Sequence, residues 1–240
     1  EAVSVSAVGG AAATSFNVQI QSLAKAQSSI SVALSPVSQA VGEGTLTFDI
    51  GKWSGEPKVF TMGSTGAVNV EISATDTLAD VVSKINGSKA GVTATVLSDA
   101  AGERLLLRSN TTGENAGYRV SVADSDGVST DAAGLSRLVV GATTEYGVDA
   151  RATVNGVAVT SATNAFSNTV AGVTFTALQV TGSDVAISVS KDSSAVKKNV
   201  EAFISAYKAV NQALNNVTKD DQGSKTAGLL IGVSAAGPWN

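Results

Sequence analysis

Histidine and cysteine are both absent from this chain, and each absence closes off chemistry. Without cysteine there is no disulfide and no thiolate zinc site. Without histidine the commonest general base and the commonest metal ligand are gone, and a serine–histidine–acid triad cannot be built. Charged residues are only 15% of the 240 and aromatics only 5%, and the net charge is −4. Lysine and arginine are scattered, so the chain lacks the basic cluster that nucleic acid or an anionic lipid surface needs. No apolar run reaches the roughly 20 residues of a membrane span, so no membrane insertion is expected. Glu1 is not a start residue, and no basic segment leads into an apolar one as in a signal peptide. The chain therefore reads as mature or as excised from something longer. Phosphate-cradling glycine loops and the nucleophile elbow are missing too, and no nucleotide or other cofactor is implied.

Glycine, alanine, serine, threonine and valine dominate what is there, a mix that reads as many short strands with tight turns. With 43% hydrophobic residues, the length suffices for one large domain or two small ones. Alternation predicts strands over 2–8, 15–20, 45–50, 59–62, 67–72, 92–97, 104–109 and 118–123. The period changes at Leu78, Val81, Val82 and Ile85, which sit at i, i+3, i+4 and i+7 of an amphipathic helix. Thr77 and Asp80 form a capping-box pattern before it, and Gly87 suits the position just past its end. Residues 22–39 are ambiguous. Leu23, Ala26, Ile30, Ala33 and Leu34 suit a helix, while the serines and Pro36 weaken it. Asn155-Gly156 between 152–154 and 157–159 is a hairpin signal. A second hairpin is expected between 172–180 and 185–190. The fold class expected is mainly β with some α.

The clearest pattern lies near the end. Val196, Val200, Phe203, Tyr207, Val210, Leu214 and Val217 are spaced 4, 3, 4, 3, 4, 3, the a/d repeat of a coiled coil. Asp192 or Ser193 can cap this helix. Such a seam must be buried against another helix, and no other segment repeats it. Its partner is expected to be another chain, or a part of the natural protein outside this sequence. This points to an assembly protein rather than a self-contained enzyme.

Other candidate sites are weaker. Asp124, Asp126 and Asp131 lie around a D-x-D-G sequence that lacks the third acidic position and the bidentate glutamate of an EF-hand; it reads as an Asx-rich turn rather than a calcium loop. Paired carboxylates for glycoside chemistry have no cleft to mark them. Trp53, in Lys52-Trp53-Ser54-Gly55-Glu56-Pro57, is expected on an exposed loop, either as an interface anchor or as cover for a local cluster.

Three stretches resemble a known family. One is Phe16-Asn17-Val18-Gln19-Ile20-Gln21-Ser22-Leu23-Ala24-Lys25-Ala26-Gln27. The second is Leu78-Ala79-Asp80 with Lys84-Ile85-Asn86 and Gly91-Val92-Thr93-Ala94, an element shared with flagellins. The third combines Asp149-Ala150, Val154-Asn155-Gly156, Gly172-Val173-Thr174-Phe175, Val189-Ser190-Lys191-Asp192 and Ala206-Tyr207. In this order, over most of the chain, they are similar to the bacterial flagellar filament cap family, hook-associated protein 2. The segment 233–240 departs from the family pattern.

The resemblance implies two β-rich head domains, one inserted in the other, followed by a stalk helix of coiled-coil type. Residues 42–147 form the inserted outer head domain with one helix. Residues 15–41 and 148–192 form the first head domain, 1–14 the end of the stalk and a linker strand, and 193–240 the stalk helix and tail. It also implies a structural function at the flagellum tip, outside the cell, after passage through the flagellar export channel. The partners implied are further copies of the protein in a homo-oligomeric cap ring, exported flagellin whose polymerisation it promotes, and in some bacteria host surface glycans or proteins. Rival readings are a stand-alone surface adhesin or ligand-binding β module, and flagellin's own variable region. The Asp149 to Tyr207 pattern argues against the last.

Overall fold

A computed structural model describes residues 1–9, 11–190 and 194–218. The helix cap at Asp192 or Ser193 and the tail 233–240 lie outside the described residues. The chain divides into two units, residues 1–189 and the segment from 190 onward. The fold is mainly β with some α.

Alternating patterns become strands in the first unit because one face of each finds a core. Strands β1 (Val3–Ala7), β2 (Thr14–Ser22), β11 (Ala150–Val154), β12 (Val157–Ser161), β13 (Ala165–Val170), β14 (Val173–Ala177) and β15 (Val185–Val189) build two sheets, ordered β12-β11-β2-β15 and β1-β14-β13. Phe16, Val18 and Ile20 of β2 turn inward with Ala150, Ala152, Phe166, Phe175 and Ile187. Phe166 and Phe175 are a cross-strand pair with stacked rings 4.7 Å apart, and Phe16 reaches Phe175 at 6.5 Å. Each ring buried this way is worth about 1.5–3 kcal/mol.

A separate core lies between these segments in sequence. It is built from β3 (Ser28–Ile30), β4 (Gly44–Ser54), β5 (Val59–Met62), β6 (Val68–Ile72), α1 (Leu78–Gly87), β7 (Val92–Asp99), β8 (Gly102–Ser109), β9 (Gly117–Asp124) and β10 (Thr143–Glu145), with short 3-10 turns at Glu114–Ala116 and Gly134–Leu138. One sheet runs β10-β3-β8-β7. In the other, β4 pairs with β5 and β6 and also with β9. Leu46, Phe48, Leu78, Val81, Ile85, Leu105 and Leu135 fill the space between. The capping box of α1 is present: Asp80 N–H donates to Thr77 Oγ1, and Thr77 N–H to Asp80 Oδ2 at 2.9 Å. Gly87 is the last helical residue rather than the one past the end. Ser88 is the C-cap, and Lys89 takes the left-handed conformation, φ 59°.

One ambiguity is resolved and two expectations are corrected. Residues 22–39 hold no helix: β2 runs to Ser22, β3 follows, and Leu34 bridges Glu103. The segment crosses from one core to the other, so its main-chain groups find partners on β8 and at Val148 instead of along itself. Residues 28–41 consequently belong with the second core, where Leu34 and Val41 are buried, and not with 15–27. The hairpin expected between 172–180 and 185–190 does not form. β14 pairs with β1 and β13, and β15 pairs with β2. Thr181 N–H donates to Ile20 C=O at 3.0 Å, and Ile20 N–H to Thr181 Oγ1 at 3.0 Å, which carries the chain from one sheet to the next. The Asn155-Gly156 hairpin does form, with both residues at positive φ, 48° and 81°.

The two cores are linked where the chain crosses between them. Lys25 and Val148 exchange main-chain hydrogen bonds of 2.9 and 3.1 Å, and Gly113 N–H donates to Lys25 C=O at 3.1 Å.

Candidate assembly surfaces

In the second unit, α2 (Ser194–Thr218) carries the predicted seam. Val196, Val200, Phe203, Tyr207, Val210 and Leu214 are all exposed, and so is Ile204 beside them. Phe203 is 71% exposed, a large apolar ring that a soluble chain does not leave open without cost. The side chain of Val217 lies outside the described residues. No second helix with such a seam exists among the described residues.

Trp53 is not on an exposed loop. It sits in β4, half-buried, in a strand longer than the alternation over 45–50 suggested. Its indole Nε1–H donates to Tyr118 C=O at 2.9 Å, and its ring lies 5.0 Å from Phe60 and 5.5 Å from Tyr146. The aromatic pair on β4 and β5 is a cross-strand contact, since Trp53 and Phe60 are in register. Trp53 thus covers a local cluster. A cavity of about 190 Å³ lies against it, walled by Leu107, Tyr118, Leu138, Val139 and Tyr146. The phenol of Tyr118 shares a 2.7 Å hydrogen bond with Ser29 Oγ and donates to Leu107 C=O; burial pushes its pKa up to about 12.

The acidic turn is structural. Asp126 Oδ1 accepts from Val128 N–H at 2.8 Å and Asp131 Oδ1 from Ala133 N–H at 3.2 Å, both two residues on, as Asx turns do. Asp124 is turned inward onto Ser136. Sequence reasoning missed Gln27. It is 2% exposed, and its side-chain amide bonds twice to the main chain of Tyr118. A lone glutamine between Ala26 and Ser28 gives no periodic signal of that.

Fold and surface together define a class: a β-rich head with two linked cores, followed by a helix with an uncovered apolar seam. Comparison with known proteins narrows it. The sequence profile "Flagellar hook-associated protein 2 C-terminus" matches residues 147–236, and "Flagellin hook IN motif" matches 58–111. The chain is 31% identical to "B-type flagellar hook-associated protein 2" of Pseudomonas aeruginosa, over 94% of this chain and 50% of that protein. A crystal structure of FliD from Pseudomonas aeruginosa superposes with a TM-score of 0.70 at 28% identity, covering 92% of this chain and 98% of that one. A crystal structure of two domains of the flagellar cap protein FliD from Escherichia coli gives 0.66 at 26% identity, over 80% and 95%. The chain belongs to the flagellar hook-associated protein 2 family. It spans about half the length of the Pseudomonas aeruginosa relative.

Proposed function

We propose that this chain is the head and adjoining helix of a flagellar filament cap protein. It acts outside the cell at the distal end of the filament, as an assembly protein rather than an enzyme, and promotes polymerisation of exported flagellin. The observation that carries this is the 31% identity to a hook-associated protein 2 along nearly the whole chain. No described helix is long and apolar enough to cross a membrane. Homo-oligomeric ring formation and flagellin contact belong to the same proposal, supported by the exposed seam of α2 and by the flagellin-shared motif in the second core. In this scheme residues 15–27 and 148–192 form one head domain, 28–147 the inserted outer one, and α2 a stalk whose seam packs in coiled-coil fashion. Nothing among the described residues favours host adhesion, and the proposal omits it.

The test uses one substitution in two settings. In the full-length protein, Phe203→Asp buries an unpaired carboxylate in any helix pair that α2 makes. Cells carrying it lose swarming and release unpolymerised flagellin into the medium. In the isolated 240-residue chain the same substitution shifts unfolding by less than about 1 kcal/mol, as at an exposed site. Normal swarming with Phe203→Asp would sink the proposed stalk.

A further inference from the structure

The outer edge of β9 carries an open binding position. Ser125 N–H donates to Glu43 C=O across the β4–β9 pair, and in an antiparallel ladder the bonded positions alternate. The main-chain groups of residues 119, 121 and 123 therefore face β4, and those of Tyr118, Val120 and Val122 face away. At Tyr118 the outward groups are met by an amide. Gln27 Nε2–H donates to Tyr118 C=O at 2.7 Å, and Tyr118 N–H donates to Gln27 Oε1 at 3.0 Å. A side-chain amide thus stands where the peptide of a neighbouring strand would stand. Asn86 does the same on β7, donating to Ala94 C=O at 3.0 Å and accepting from Ala94 N–H at 2.8 Å.

Two residues beyond Tyr118, no hydrogen bond from a described residue reaches the outward N–H and C=O of Val120. Val120 lines the 190 Å³ cavity, together with Trp53, Leu138, Val139, Ala142 and Tyr146. That volume lies below the roughly 300–1,000 Å³ of a small-molecule site and above the roughly 150 Å³ that holds a benzene ring. It suits one side chain. Several polar side chains on its wall are already engaged: the Gln27 amide with the main chain of Tyr118, the Tyr118 phenol with Ser29 and Leu107 C=O, and Arg119 with Asp49 at 2.7 Å; Thr144 and Tyr146, which also line it, carry hydroxyls. No free charge is left to attract an anion or a cation. Besides the hydroxyls of Thr144 and Tyr146, the cavity offers a ligand one donor and one acceptor of main chain, spaced as a strand presents them.

We propose that this position binds one residue of an extended polypeptide. Its main chain pairs with Val120, and a leucine- or phenylalanine-sized side chain fills the cavity between Tyr146 and Leu138. The mode is addition to a sheet edge, in which main-chain bonds supply affinity and a pocket supplies specificity.

Blocked single residues test this on the 240-residue chain: the N-acetyl methylamides of leucine, phenylalanine and alanine at millimolar concentrations. Trp239→Phe leaves Trp53 as the sole tryptophan. The leucine and phenylalanine probes produce a saturable shift of the Val120 amide resonance and a change in Trp53 emission. The alanine probe binds about tenfold or more weakly, since it leaves the cavity empty. Ala142→Phe, which fills the cavity from its own wall, removes both signals, and Ala142→Ser keeps them. If Ala142→Phe fails to fold, the leucine-against-alanine comparison on the unaltered cavity decides alone. A Val120 resonance unmoved by any probe, or moved equally by all three, overturns the proposal. So does toluene that alters Trp53 emission as strongly as the leucine probe while Val120 stays unmoved. The assay uses no flagellar component, so its outcome is independent of the cap reading.

Discussion

Asp124 and Ser136, twelve residues apart, are joined twice: Asp124 Oδ2 accepts the main-chain N–H of Ser136 at 2.8 Å and its hydroxyl at 3.0 Å. The clasp closes an irregular stretch between β9 and the 3-10 turn at 134–138. It holds Leu135 and Leu138 in the second core, 0% and 2% exposed.

Burial alone would raise the pKa of Asp124. The N–H and hydroxyl of Ser136, with the N–H groups of Asp126 and Leu135, more than offset this and hold the carboxyl below its usual value. A depressed folded-state pKa contributes stability above the unfolded value of about 3.9, and that stability is lost as the pH falls through the lower folded value. Asp124→Asn should therefore lower the urea midpoint at pH 7, and the gap from the unaltered chain should narrow at pH 3 and below. A gap that is constant across this range would show that the charge does not matter.

Gln27→Leu keeps the size of the side chain and removes both bonds to Tyr118. The buried Tyr118 N–H then has no partner, while its C=O keeps Trp53. The expected cost is about 1–3 kcal/mol, that of one unsatisfied buried donor. Denaturant unfolding measures it. Loss of Tyr118 N–H protection from hydrogen exchange would locate it.

At Gly156 an added Cβ meets nothing within 4 Å, so any cost of a side chain there comes from the backbone alone. Gly156→Val at φ 81° should cost about 1–2 kcal/mol. Gly156→Asn should cost less, since asparagine tolerates the left-handed region better. Equal thermal midpoints for the two variants would contradict a type I′ turn.

The boundary at β3 gives a paired test. A fragment of residues 26–147 contains Gln27 and β3, and it should unfold in one cooperative thermal transition. A fragment of 42–147 lacks the strand that joins β8 to β10 and the amide on Tyr118. It should melt at a clearly lower temperature or without a cooperative transition. Identical melts would mean that β3 is dispensable.

What could be read from the chain was local. The inward face of β2, the four apolar positions of α1 with their capping box, and the Asn155-Gly156 turn all depend on residues a few places apart, where periodicity and dihedral preference decide. Strand partnership was not legible in this way. β14 and β15 are neighbours in sequence with a glycine-bearing link, as in a hairpin. Yet β15 pairs with β2 across Ser188 and Ser15, and β14 pairs with β1. Nothing in 172–190 encodes a partner so distant. The same holds for Gln27 and Tyr118, separated by 91 residues. Trp53 was misread because the turn residues after it suggested a loop, while register with Phe60 and Met62 keeps β4 extended as far as Ser54. The seam of α2 was legible because heptad spacing is a property of one helix.

The paired main-chain bonds between Lys25 and Val148 have a topological consequence. Entry to and exit from the second core lie side by side, fastened to each other. Whatever sequence runs between these two gates begins and ends at one fixed spot on the base. A change of length within that stretch away from 112–114, which bond to Lys25, Asp149 and Ala162, therefore leaves both ends of the β2-centred sheet's connection in place. The second core is a cassette held at both ends by one clasp.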